Sequence, residues 1–428
     1  HKETMKFFLN ALSLISLSIF PTNVISHGSH DELKWDHGNI TMPYPLSDMT
    51  ATTFEEKFIV IVGGCNNEDG NVYVSDPDYG EFFACFSITD EVLKFSPSDG
   101  TFSKLKSAPR KRYRHAAVAI GNNLWVVGGR DEMDNIIGEI DVYNIETDMW
   151  STPISLPPNY LTSDNAAFTD SSGDKLFVTG GWDANYVALD TTIAIDIGEA
   201  LNGVVSIEEK AKLNYARGDI YAASTDDYSL SYVTGGFTDK NVYCAPLSSA
   251  ERYNVEFDRW EPVNSMRTGR GDKAIVELNN RIFAVGGERK LEEVCDETKQ
   301  DELPHLGDQS VPVDDAEVLD PSDGIDAEWR VIDDLPHFRF RFTAAAWDET
   351  DTIYTFGGQK MYDTDCNCFA TSDAVVTYID EQFEDDDDGR LATGAVVGIV
   401  VGVIVGVSVL AVCAHKIFCQ KNDIEYEN

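Results

Sequence analysis

One short phrase recurs six times and constrains this chain more than any other feature. It reads FIVIVGG ending at Gly64, LWVVGG at Gly129, LFVTGG at Gly181, SYVTGG at Gly236, IFAVGG at Gly287 and IYTFGG at Gly358. The second glycines are 65, 52, 55, 51 and 71 residues apart. A short apolar run that does not alternate reads as a strand buried on both faces. The paired glycines let the backbone turn, or approach another segment where a Cβ would clash. A strand-bearing unit repeated every 50 to 70 residues means stacked or radially arranged copies, each burying its faces against its neighbours.

The residues around each phrase complete the unit. A shorter strand precedes it: AAVAI at 116–120, NAAFTD at 165–170, KAIVEL at 273–278 and TAAAWD at 343–348. Tight turns such as Gly121-Asn122-Asn123 and Asn279-Asn280 join the two strands. EIDVYN at 139–144, AERYN at 250–254 and DAVVTYI at 373–379 read as third strands carrying an inward aromatic. A fourth strand carries Trp150, Trp260 and Trp329, with Phe102 in the equivalent place of the first unit. The third unit has no matching aromatic.

On these residues, 31–380 resemble the kelch-repeat family, in which each repeat is one blade of a β-propeller. The resemblance implies an all-β fold with six blades. The sixth unit stops after its third strand, so the N-terminal segment, with Trp35 and MPYPLSDM at 42–49, is expected to supply the missing strand. Closing the ring that way hides the edges of an open sheet.

The two ends predict an address. After an overhang before Met5, residues 5–26 have the apolar core and small-residue cut site of a secretory signal, so 1–26 is set aside as overhang and signal peptide and 27–380 as the ectodomain. Asp385 to Asp388 lie in an acidic stalk, 381–390. Residues 391–414 carry no charge and are long enough for one transmembrane helix, with 415–428 as a short cytosolic tail. Lys416 and Lys421 follow the span, which fits a single-pass type I protein at the cell surface or in the secretory pathway. Gly394, Gly398, Gly402 and Gly406 recur every fourth residue and predict a helix-dimer face, hence a homodimer through the span.

In a four-stranded meander, the loop from second to third strand and the linker to the next blade share one side, here termed the loop face. Cys65, Cys85, Cys244, Cys295, Cys366 and Cys368 all fall there. An oxidising compartment predicts disulfides among them, with Cys65–Cys85 and Cys244–Cys295 favoured by proximity. A zinc site at Cys366 and Cys368 is the sharper alternative, short of the usual ligand set. Asn39-Ile40-Thr41 is a glycosylation sequon.

Arginines mark the linkers. Arg114, Arg217, Arg270 and Arg341 are read as sharing one repeat position, matched by Asp48 and Asp164 before the first and third blades. Kelch proteins often bind at this mouth, so the resemblance implies contacts to carboxylates or sulfates. The competing reading has these arginines bonding backbone carbonyls and holding blades together. Arg217-Gly218-Asp219 and Arg270-Gly271-Asp272 look like integrin ligands, yet their repeated placement gives them a structural explanation.

The formal charge of −41 argues against nucleic acid as a partner. No catalytic constellation is legible. The acidic loops at 68–71 and 362–365 lack EF-hand spacing, so no metal or cofactor is expected. The reading is recognition: a membrane-anchored propeller binding an extracellular or lumenal protein or an anionic glycan through its loop face. The alternative is a sugar-acid isomerase resembling the six-bladed sialate mutarotases, favoured if charged side chains are buried in the channel.

Overall fold

The computed structural model describes residues 35–380, apart from 37, 55–56, 67–70, 77–79, 239–245, 291–309 and 367. The chain divides into two compact units, 1–380 and 381–428. The signal peptide, the stalk, the 391–414 span with Gly394, Gly398, Gly402 and Gly406, the tail, and Cys244 and Cys295 lie outside the described residues. Among the described residues no helix is long and apolar enough to cross a membrane.

Six antiparallel four-stranded meanders follow one another. Blade one is Thr50–Phe54, Phe58–Val62, Val92–Ser96 and Thr101–Lys104. Blade two is Ala116–Ile120, Asn123–Val127, Glu139–Asn144 and Met149–Trp150. Blade three is Ala166–Thr169, Lys175–Thr179, Thr192–Asp196 and Ile207–Lys210. Blade four is Ala222–Ser224, Leu230–Thr234, Ala250–Asn254 and Arg259–Val263. Blade five is Ala274–Leu278, Arg281–Val285, Ala316–Leu319 and Arg330–Val331. Blade six is Thr343–Trp347, Thr352–Phe356, Ser372–Ile379 and, from the other end of the chain, Trp35–Asp36.

The second strands show why their sequences do not alternate. Leu124 and Val126 pack toward blade one with Val60 and Val62, while Trp125 and Val127 pack toward blade three with Leu176 and Val178. Both pleat faces of the strand therefore meet a neighbouring blade. A comparable apolar cluster fills each of the six blade junctions. Each fully buried aliphatic side chain in them contributes about 1.5–3 kcal/mol.

Ring closure repeats the contact used within blades. Trp35 lies opposite Tyr378, their rings 4.9 Å apart. Trp150 meets Tyr143 at 5.1 Å, Trp260 meets Tyr253 at 5.1 Å, and Phe102 meets Phe95 at 4.8 Å. Thr41–Leu46 then runs along the same third strand of blade six before the chain enters blade one.

The departures from regularity lie outside the meanders. Blade three inserts a helix, Ile197–Leu201, between its outer strands, capped by the Asp196 side chain accepting from the Glu199 N–H at 2.8 Å. On the loop face, a hairpin of Asn71–Asp76 and Gly80–Ala84 pairs with Cys368–Phe369 of blade six. Glu288–Lys290 pairs with Ser310–Pro312 above blade five.

Candidate functional site

Each linker ends in one residue with left-handed backbone immediately before the first strand of a blade. These are Asp48 (φ 56°), Arg114 (56°), Asp164 (52°), Asp219 (57°), Asp272 (49°) and Arg341 (53°). For a residue with a Cβ this conformation costs about 1–2 kcal/mol, less for Asp. A closed belt of main-chain hydrogen bonds offsets it. Asp48 N–H donates to the Arg341 carbonyl (2.8 Å), Arg114 to Asp48 (3.0 Å), Asp164 to Arg114 (2.8 Å), Asp272 to Asp219 (3.3 Å) and Arg341 to Asp272 (2.8 Å). At the remaining step Ile220 donates to Asp164 at 3.3 Å.

Four carboxylates and two guanidiniums thus surround the loop-face end of the channel. Arg341 Nε lies 2.9 Å from Asp272 Oδ2 and 3.8 Å from Asp48 Oδ1. Arg114 Nε lies 3.4 Å from Asp48 Oδ1 and 3.7 Å from Asp164 Oδ1. Asp48 also accepts from Ser47 Oγ (2.6 Å) and Gln359 Nε2 (3.3 Å), and Asp219 from Trp182 Nε1 (3.0 Å). One oxygen each from Asp164, Asp219 and Asp272 lies within 4.8 Å of the other two. Burial, together with the neighbouring carboxylates, pushes Asp164 up to about 6 and Asp219 well above the usual carboxylate range. Beneath the ring sits a channel cavity of about 70 Å³, lined by small first-strand residues such as Ala116, Ala167, Ala222 and Ala274, with Tyr221 and Phe342.

The four arginines singled out in the sequence occupy two repeat positions rather than one. Arg114 and Arg341 belong to the axial ring. Arg217 and Arg270 lie two residues before it, equivalent to Arg112 and Arg339, and all four of these are almost wholly buried. Their guanidiniums bond carbonyls at the end of the second strand: Arg112 to Gly128 (3.0 Å), Arg217 to Gly235 (2.9 Å), Arg270 to Ala284 (3.0 Å) and Arg339 to Gly357 (3.2 Å). Arg217 pairs with Glu251 at 2.7 Å and Arg270 with Glu317 at 2.7 Å, and Arg112 pairs with Asp141. Their own carbonyls accept from the second glycine of the preceding blade, as Arg112 does from Gly64 (2.9 Å) and Arg270 from Gly236 (3.0 Å). Each such arginine therefore ties two blades together. The expectation of a positive mouth built from all four arginines is replaced by an axial ring with more carboxylates than guanidiniums.

The two RGD tripeptides follow the same logic. The arginine is a blade tie and the aspartate an axial residue. The glycine is required by an aromatic ring: a Cβ at Gly218 would overlap the Trp182 indole, and one at Gly271 would overlap the Phe237 ring. Asp219 and Asp272 were missed as axial residues in the sequence. They lie 17 and 15 residues before the second glycine, like Asp48, Arg114, Asp164 and Arg341 at 15 to 17. Turn lengths that vary by two residues blur this spacing enough to confuse a position with the one two before it.

Disulfides join Cys65 to Cys85 and Cys366 to Cys368 on the loop face. The latter pair thus holds no free thiolate for zinc. Asn39 is exposed, just before Thr41–Leu46. Large apolar side chains are also exposed on this face: Phe86, Met133, Val187 and Met361 in second-to-third-strand loops, and Tyr215 and Phe338 in linkers, Met133 being 79% exposed.

The opposite mouth is wider. A cavity of about 610 Å³ there is lined by Thr52, Thr169, Thr225, Tyr228 and Phe168, with Asp226, Glu277 and Asp348. Burial first, and then the Asp226 carboxylate, pushes Glu277 up to about 8.

The fold defines a six-bladed β-propeller, with two concentric sets of linker residues at its loop-face mouth. The KLHDC2/KLHL20/DRC7 Kelch-repeats domain model matches residues 49–287, and the chain belongs to the kelch-repeat family. It is 22% identical over 271 residues to Kelch-like protein 26 of Danio rerio, covering 62% of this chain and 43% of that protein. It is 26% identical over 223 residues to Kelch-like protein 15 of Homo sapiens, covering 49% and 35%. The chain thus spans less than half the length of these curated relatives. The solved structure of YjhT superposes with a TM-score of 0.58 at 13% identity, covering 78% of this chain and 96% of that one. At that identity the likeness speaks for the fold alone.

Proposed function

We propose that this protein is a binding module, anchored in a membrane by residues 391–414, that recognises a protein partner through its loop face. The observation that carries this reading is the set of exposed apolar side chains there: Phe86, Met133, Val187, Tyr215, Phe338 and Met361. They come from several blades, and Phe86 and Met361 lie in loops braced by disulfides and by the pairing of Cys368–Phe369 with Asn71–Asp76. Apolar side chains held in water on a rigid scaffold favour burial against another protein. The disulfides support an extracellular or lumenal setting. The axial ring does not favour an anionic glycan at the centre of the mouth, because its carboxylates outnumber its guanidiniums.

The test is cross-linking and capture from native membranes with the full chain. Met133→Glu with Val187→Glu should reduce partner capture more than tenfold while leaving thermal stability intact. The reading fails if capture survives this pair and is lost instead with Leu201→Glu, which lies on the opposite side in the blade-three helix.

A second reading, a sugar-acid isomerase, draws on the opposite mouth. The 70 Å³ axial cavity is too small for a sugar, whereas about 610 Å³ is within the range of ligand sites, and Glu277 is held protonated near neutral pH. Loss of anomer interconversion on Glu277→Gln, followed by NMR on candidate sugar acids, would favour it.

A further inference from the structure

We infer that the axis of the propeller holds one divalent cation of the hard, oxygen-preferring kind, calcium in particular, between Asp164, Asp219 and Asp272. The site joins blades three, four and five, and it is distinct from the loop surface proposed to meet a partner.

Geometry carries the argument first. Three oxygens no more than 4.8 Å apart share a centre within about 2.8 Å of each, close to the 2.3–2.6 Å of calcium–oxygen bonds. The donor set contains carboxylates alone, which suits calcium, magnesium or manganese and not zinc. The cavity of about 70 Å³ lined by the first strands that follow these aspartates has room for water.

A second observation is independent of the clustering. Asp219 has the Trp182 indole N–H at 3.0 Å, and Asp272 has Arg341 at 2.9 Å. Asp164 is more than nine-tenths buried, and its Oδ2 is sealed from solvent with no hydrogen-bond partner. A carboxylate oxygen taken out of water and left unpaired is strongly unfavourable, and a proton or a bound cation compensates it. Arg114 Nε lies 3.7 Å from Asp164 Oδ1, beyond hydrogen-bond reach, and so leaves Oδ2 uncompensated.

The ring carries four carboxyls against two guanidiniums, so added positive charge is favoured there. Asp48 does not take part in the trio, because Ser47, Gln359 and both arginines already surround it.

The experiment uses the full chain in detergent, stripped with EDTA and desalted, and titrated with Ca²⁺ in a thermal melt and with Mn²⁺ by EPR. Wild type should gain about 5 °C in Tm at 100-fold excess over Kd. It should bind one more tightly held Mn²⁺ than Asp219→Asn, whose Tm should not respond to Ca²⁺. Asp164→Asn reads the same site if Asp219→Asn fails to fold. Two results would overturn the inference: a wild-type Tm indifferent to Ca²⁺, or equal Ca²⁺ shifts and Mn²⁺ counts in wild type and either folded variant, which would place the ions on the acidic surface.

Discussion

Individual residues in this propeller are chosen by what lies against them in the next blade. Gly271 does not have left-handed backbone; it is glycine because the Phe237 ring lies where a Cβ would be. Gly271→Ala should therefore force the ring or the linker to move, costing about 1–3 kcal/mol in urea unfolding. A loss below roughly 0.5 kcal/mol would show that Phe237 can shift freely, and would reopen the tripeptide as an exposed motif. Gly129 has the other reason, with φ of 85° and a Cβ position only 2.6 Å from the Tyr113 carbonyl. Arg217 and Arg270 read as ligand groups in isolation, but each lies at a junction where carbonyls and a strand-three glutamate are already in place.

At the level of elements, the N-terminal strand closes the ring on a partner remote in sequence. Trp35 stacks on Tyr378, donates its indole N–H to the Asp333 carbonyl at 2.7 Å, and is only 3% exposed. Trp35→Ala should cost about 3–5 kcal/mol. Hydrogen exchange should show the loss concentrated in Ser372–Ile379, the strand it closes against. Unchanged protection in that strand, with loss elsewhere, would mean that closure rests on Thr41–Leu46 alone. The long blade-one loop is another element under external control. Its Cys65–Cys85 bridge spans 20 residues, a loop for which a disulfide contributes roughly 3 kcal/mol, whereas Cys366–Cys368 closes almost no chain.

For the whole molecule, the charge on the ring and at both mouths makes stability depend on pH. Glu277 holds a proton in the folded state up to about pH 8, while the unfolded chain releases it near 4.5. The folded state is therefore favoured at low pH and loses that advantage as pH rises through this window. Asp164 acts in the same direction up to about 6. His115, buried against Arg112 and held down to about 3, acts oppositely, because the unfolded chain gains a proton below 6.5 that the fold refuses. Glu277→Gln isolates one contribution. Its Tm minus that of wild type should rise steadily from pH 5 to pH 8, and a flat difference would remove Glu277 from the account.

The sequence alone carries the number of blades, the identity of their buried strands and the closing role of Trp35. Those properties depend on local patterning: apolar runs and paired glycines repeat once per blade, a fourth-strand aromatic recurs in most of them, and each can be read without its neighbours. The division of the linker arginines into axial residues and blade ties is a property of the closed ring. Whether a side chain two residues before a strand points to the axis or into a junction depends on a left-handed backbone held by the preceding blade's carbonyl, as at Arg341 bonded to Asp272. The convergence of Asp164, Asp219 and Asp272, and the pairing of Cys368–Phe369 with Asn71–Asp76 across blades, likewise follow from closure. No sequence separation encodes such contacts, because only a ring of six brings every blade against two others.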